Sequence, residues 1–209
     1  MQYMRYFLII LLIVIPIKGQ AKDFFLDITD QIQDNEFRLS YGVSVTDVNK
    51  DNKFDFVVTG FGFKNLALTY KDGKLVNIIN EEIFSDPSRR TIGVAACDID
   101  KYGYEEIYLL NTDTYSGDKI YSDRLLDLNK DKFIDLFEIE KNKTDLNLTA
   151  GRSVVCVDRE GNGQYGIYVA NYGGPTRFYE FNDNRIKDIA VKLAINKTIK
   201  KYLIYWSQY

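Results

Sequence analysis

Three stretches of this chain are written to one plan, and that plan limits the fold more than composition does. Each has a short apolar run, an acidic loop and a second run rich in Ile, Val, Leu and Tyr: Tyr41–Gly60, Ile92–Asn111 and Gly151–Asn171. The loops open on Asp47, Asp98 and Asp158, so the copies recur after 51 and then 60 residues. A unit repeated at such an interval cannot bury its apolar face alone and becomes stable by stacking on its neighbours.

The runs on both sides of each loop are β-branched and aromatic and have strand length. Each copy then continues into a hairpin with apolar arms and a polar turn: Leu66–Ile78, Arg124–Phe137 and Arg177–Ala190. The turns Lys71-Asp72-Gly73, Asn129-Lys130-Asp131 and Asn182-Asp183-Asn184 supply residues that tolerate positive φ. Four antiparallel strands per copy predict an all-β chain built as β-propeller blades. The boundaries fall at about 37–90, 91–145 and 150–198, within a repeat region of 22–198. Phe24–Gln31 resembles the last strand of a further unit. About three blades are fewer than the roughly four to eight that close a ring. The expectation is therefore an incomplete propeller, part of a longer protein or truncated, with self-association across open edges as the other route to closure. Residues 199–209 lose the repeat pattern and read as a divergent tail, as a frameshift or fragment would give.

The acidic loops carry the candidate chemistry. Asp47, Asn49, Asp51 and Asp55 stand at positions 1, 3, 5 and 9, and the Lys53 carbonyl completes an oxygen set suited to Ca2+, a hard cation that takes about six to eight oxygens. Loop two keeps Asp98, Asp100 and Glu106 but has Tyr102 at position 5, which predicts a weaker site. Loop three, Asp158 to Gly166, ends without a ninth-position carboxylate and reads as a structural turn. Asp127-Leu-Asn129-Lys-Asp131 with Asp135 matches the same spacing, but it falls at a hairpin and is taken as accidental.

Residues 1–21 read as a secretory signal: Arg5, an apolar run over Phe7–Ile17 that is short of the roughly 20 residues of a membrane span, then Gly19-Gln20-Ala21. Its removal takes Arg5 and Lys18 from 27 basic residues and none of the 30 acidic ones, moving the net charge from −3 to −5. That balance, without a basic stripe, argues against a nucleic-acid partner. The chain has no His, which excludes Ser-His-Asp triads and His-ligated zinc. An exported protein permits a disulfide between Cys97 and Cys156, but they fall on opposite faces of equivalent strands, which favours buried, unpaired thiols. Asn142, Asn147 and Asn196 open sequons that glycans could use in a eukaryotic host.

With these loops and the dipeptide Phe61-Gly62, the chain resembles the FG-GAP repeats of integrin α-chain propellers. Ile92–Asp100, Glu105–Thr112, Ala150–Arg159 and Ile167–Tyr172 are more closely similar to the cartilage acidic protein family. The resemblance spans roughly residues 24–198. It implies the N-terminal half of a secreted, calcium-binding propeller, periplasmic if the source is bacterial, in which Asn52 stands where Gly is usual. It also implies a non-enzymatic binding or adhesion module with an extracellular protein or glycan ligand, contacted through 61–64, 112–116 and 172–175. The alternatives are a non-functional fragment of a longer propeller and a secreted glycan-active enzyme working without His.

Overall fold

The computed structural model describes residues 24–197, so the signal segment and the tail from 199 lie outside the described residues. Three four-stranded antiparallel sheets follow one another along the chain. The first holds β1 (Val43–Thr46), β2 (Asp55–Val58), β3 (Leu66–Lys71) and β4 (Lys74–Asn77). The second holds β5 (Thr91–Cys97), β6 (Glu106–Asn111), β7 (Arg124–Asn129) and β8 (Lys132–Asp135). The third holds β9 (Gly151–Val157), β10 (Gly166–Asn171), β11 (Arg177–Asn182) and β12 (Arg185–Asp188). In every sheet the spatial order equals the sequence order. A short helix, α1 (Glu82–Ser85), and 3-10 turns at Leu136–Glu138 and Glu140–Asp145 lie in the connections between sheets.

The outer hairpins turn in two residues, Asp72–Gly73, Lys130–Asp131 and Asp183–Asn184, and all six have positive φ. That is the turn whose twist matches the flanking strands. After each hairpin one side chain closes the sheet: Asn77, Asp135 and Asp188 accept the backbone N–H of Ala67, Leu125 and Phe178. The two aspartates also pair with Arg124 and Arg177.

The sheets stack face to face. Val57 and Ala67 of the first sheet share a core with Val94, Ile107, Leu109 and Leu126 of the second. The opposite face of the second sheet, with Tyr108, Leu110 and Leu125, packs on Ile167, Val169 and Tyr179 of the third. All six residues of β6 are therefore buried, whereas β1 leaves Val43 and Val45 exposed. β1, β5 and β9 lie side by side, and the approach is close: a Cβ on Gly42 would sit 3.0 Å from the Gly93 Cα.

A buried polar network crosses from sheet two to sheet three. Lys119 pairs with Asp123, both side chains fully buried. Asp123 also accepts from Tyr108 Oη at 2.7 Å and Asn147 Nδ2 at 2.6 Å. Asn147 and Asn171 exchange amide hydrogen bonds at 3.0 and 2.9 Å. With so many partners, each buried polar group meets the demand that low dielectric places on it.

Three expectations are corrected here. Cys97 and Cys156 form a disulfide, with Cα atoms 6.2 Å apart. Successive sheets stack with the front of one against the back of the next, so opposite faces of equivalent strands are the ones that meet. The alternation taken to separate the cysteines is what joins them. Phe24–Gln31 makes no strand: Thr29–Gln31 is a 3-10 turn, and Ile32 bridges Leu75 of β4 in parallel. Asn142 and Asn147 are 2% and 0% exposed, with their amide nitrogens donating to protein acceptors, so neither can carry a glycan in this fold. Asn196 is exposed.

Candidate metal centre

All three acidic loops adopt one backbone. Positions 4 and 6 have positive φ in each: Lys50 and Asn52, Lys101 and Gly103, Gly161 and Gly163. Asn52 thus takes the left-handed conformation that glycine takes in the other two loops, as Asn does more readily than most residues. The first aspartate of each loop accepts the backbone N–H of position 6: Asp47 from Asn52 at 2.7 Å, Asp98 from Gly103 at 2.8 Å and Asp158 from Gly163 at 2.8 Å. The ninth residue opens the following strand and ties the loop from the other side. Asp55 accepts from Val48 N–H at 3.1 Å, and Glu106 accepts from Ile99 N–H at 2.9 Å.

What the loops gather differs. Among the described residues, Asp98, Asp100 and Glu106 form the one set of three carboxylates whose oxygens all lie within 4.8 Å of one another. Glu106 is 3% exposed. Burial, reinforced by the charges of Asp100, Asp127 and Asp98, pushes its carboxyl from 4.5 up to about 8. Asp100 is raised as well, first by desolvation and then by Asp98 and Asp127. Asp98 Oδ1 is buried without a hydrogen-bond partner. Such a group of converging, mutually repelling oxygens is chemically suited to a divalent cation.

Asp127 was missed as a member of this site. It is on β7, two strands from the loop start, and lines a cavity of about 260 Å³ with Asp100, Tyr102, Tyr104 and Glu106. Asp135, which shared its spacing motif, is instead held by Arg124 at 2.9 Å. The signal in sequence was registration of the hairpins, which sets Asp127 level with Thr69 and Glu180. Lys50 from loop one reaches the rim, donating to the Leu128 carbonyl at 2.7 Å over the Tyr104 ring.

In loop one, Asp47 and Asn49 both accept from the Asp51 N–H, at 2.9 and 3.0 Å, and Asp51 accepts from the Lys53 N–H at 2.9 Å. Asp55 is fully buried, its Oδ1 lacks a hydrogen-bond partner, and desolvation raises its pKa. The ligand types fit a cation here too, with the carboxylates spread wider than in loop two. Loop three is different in kind. Asp158 is lowered by the Gly163 N–H, and Glu180 is engaged by Arg159 at 2.9 Å. A Cβ at Gly166 would stand 2.7 Å from the Phe178 ring. The space of a ninth-position carboxylate is filled by that ring.

No protein-family model matches the chain. It is 39% identical to "Cartilage acidic protein 1" of Xenopus tropicalis over 207 residues, and 37% and 36% identical to the proteins of that name from Homo sapiens and Mus musculus. The chain is similar to cartilage acidic protein 1. The alignments take in 85–88% of the chain and 31–33% of each relative, so the chain spans about a third of their length. Among the described residues no helix is long and apolar enough to cross a membrane.

Proposed function

We propose that the chain is a calcium-stabilised array of FG-GAP-type propeller blades from an extracellular protein, acting by binding and not by catalysis. The observation that carries the reading is the convergence of Asp98, Asp100 and Glu106 on one point, with the Glu106 carboxyl driven up to about 8 by burial and like charge. Carboxylates so placed repel one another until a cation neutralises them. Ca2+ would be held by Asp98, Asp100 and Glu106 in loop two, with Asp127 adding charge nearby. In loop one it would be held by Asp47, Asn49, Asp51, the Lys53 carbonyl and Asp55. The bound ion would supply positive charge that fixes the turn between two strands. The chain's own contribution is the shared loop backbone, whose N–H groups already orient the first aspartate.

Secretion is supported by the leader-like residues 1–21, by the disulfide and by the relatives' name, since disulfides persist in oxidising compartments. The propeller reading is supported by three equivalent sheets, each stacked on the next with its first strand beside its neighbour's first strand. In that architecture the partner, a protein or glycan, meets the loops at one end of the blades.

The test is thermal unfolding with and without Ca2+. At a hundredfold excess over Kd, a single site should contribute about 2.7 kcal/mol. That corresponds to a rise of roughly 5–10 °C in Tm. Asp47→Ala and Glu106→Gln should each remove part of the gain, and together most of it. An unchanged Tm in saturating Ca2+ would sink the calcium reading.

A further inference from the structure

At the end of the sheets away from the acidic loops lies a cavity of about 710 Å³, lined by Tyr41, Phe61, Arg90, Thr112, Tyr115 and Arg152 among others. Tyr41, Phe61, Arg90, Thr112 and Tyr115 stand just before the first strand or just after the second strand of their units, and Arg152 is the second residue of β9, so the same end of successive sheets converges on one opening. The chain is acidic overall, yet this opening carries two guanidinium groups, and no salt bridge engages either one among the described residues. Arg90 lies 5.5 Å from the centre of the Phe61 ring, and no acceptor among the described residues takes a hydrogen bond from its guanidinium. Arg152 lies over Tyr115 and Tyr172 at 5.3 and 5.4 Å. It donates to Thr112 Oγ1, to the Gly151 carbonyl and to the Tyr115 carbonyl, which leaves two of its five donors free. Stacking on a ring occupies the face of a guanidinium and leaves its edge for a bidentate anion. Asp113, the acidic residue at the rim, is turned to the N–H groups of Ile120 and Tyr121 at 2.8 and 2.9 Å.

The main chain around the opening is already paired. Phe61 bridges Arg90, Thr91 N–H bonds the Gly60 carbonyl, Thr112 N–H bonds the Arg90 carbonyl and Tyr172 N–H bonds the Ala150 carbonyl. Strand addition by an extended peptide therefore has no edge to use here. Recognition falls to side chains: guanidinium edges for an anion, and the rings of Tyr41, Phe61 and Tyr115 for flat apolar surface. A pyranose bearing a carboxylate or sulfate offers both, through its C–H face and its charged substituent. The volume is in the range of small-ligand sites, about 300–1,000 Å³.

The geometry points to this cavity as a binding site for an acidic saccharide, seated with its anionic group between Arg90 and Arg152 and its ring face on the neighbouring aromatics. This rests on the binding-module reading and names its ligand class, but it uses none of the calcium loops.

Calorimetric titration of the full protein in Ca2+ would use a tetrasaccharide of alternating glucuronate and N-acetylglucosamine. Parallel arms would use its carboxyl-reduced form, a sulfated tetrasaccharide of equal charge, and a tetraglutamate peptide. Saturable binding of the uronate or the sulfated sugar is expected, the tighter of the two identifying the anion, with the carboxyl-reduced form silent. Arg90→Gln and Arg152→Gln should each weaken binding at least about tenfold, while Lys132→Gln on the outer hairpin should not. Among the described residues Arg90 makes no side-chain hydrogen bond, so Arg90→Gln tests the site even if Arg152→Gln fails to fold. No binding of either acidic sugar, equal binding of tetraglutamate, or equal losses in Lys132→Gln would overturn the proposal. The calcium shift in Tm, measured on the same samples without sugar, reports separately on the loops.

Discussion

Loops two and three share a backbone and face opposite electrostatic situations. Each hangs from the disulfide: Cys97 immediately precedes Asp98, and Cys156 stands two residues before Asp158. Both loops put positive φ at positions 4 and 6, and both bind position 1 to the N–H of position 6. Yet loop two crowds Asp98, Asp100, Glu106 and nearby Asp127 until Glu106 holds its proton up to about 8. Loop three relaxes Asp158 onto backbone donors and pairs Glu180 with Arg159. Loop conformation thus does not set how many carboxylates converge. What differs is the pair of positions that close the loop from the sheet, Glu106 and Asp127 against Gly166 and Glu180.

The largest expected effect concerns what the two loops have in common. Replacing Cys97 and Cys156 by Ala opens a closure spanning 59 residues and should cost about 4 kcal/mol by the chain-entropy account. Chemical denaturation of oxidised and double-Ala protein measures it, and a loss below about 1 kcal/mol would mean that stacking alone holds sheets two and three together.

The next effect separates the loops. Glu106→Gln should abolish the loop-two share of the calcium-induced rise in Tm, whereas Asp158→Asn should leave that rise intact. Equal effects would erase the distinction. Installing the missing ligand should not convert loop three, because Gly166→Glu meets the Phe178 ring and should destabilise by roughly 1–3 kcal/mol, as overpacking does.

A pH series sharpens the comparison further. The Glu106 pKa is raised on folding, so the folded protein binds a proton that the unfolded chain gives up above about 4.5. Its contribution to stability is complete below 4.5 and is lost as pH climbs through about 8. In chelator, Tm should therefore decline across that window, and Glu106→Gln should flatten the decline. A chelated wild type whose Tm rises between pH 5 and 8 in step with Glu106→Gln would contradict it. The smallest effect belongs to the surface pair of Arg159 in loop three with Glu180 on β11: Arg159→Gln should leave Tm nearly unchanged, because solvent screens the pair.

The strand plan and hairpin turns were legible because their causes are local. Asp72–Gly73 and Asp183–Asn184 turn where their own φ preferences send them, and the loop spacing puts Asp47, Asp98 and Asp158 at the same backbone position without help from the rest of the chain. Asp127 was legible only as a hairpin position level with Thr69 and Glu180; that it comes to Glu106 depends on the register of β7 against β6. The burial of Asn142 and Asn147 was not legible, since a sequon says nothing of what packs over it.

The amino-acid sequence by itself thus determined three like units, their turns and the residue types offered to a cation, all properties of neighbours within a strand or loop. Only the stacking of sheet on sheet decided the rest. It joined Cys97 to Cys156, buried every residue of β6 while leaving β1 half exposed, brought Asp127 to Glu106, and drew Arg90 and Arg152 around one opening. Those pairings link residues from different strands and sheets, and their distances are set by which face meets which.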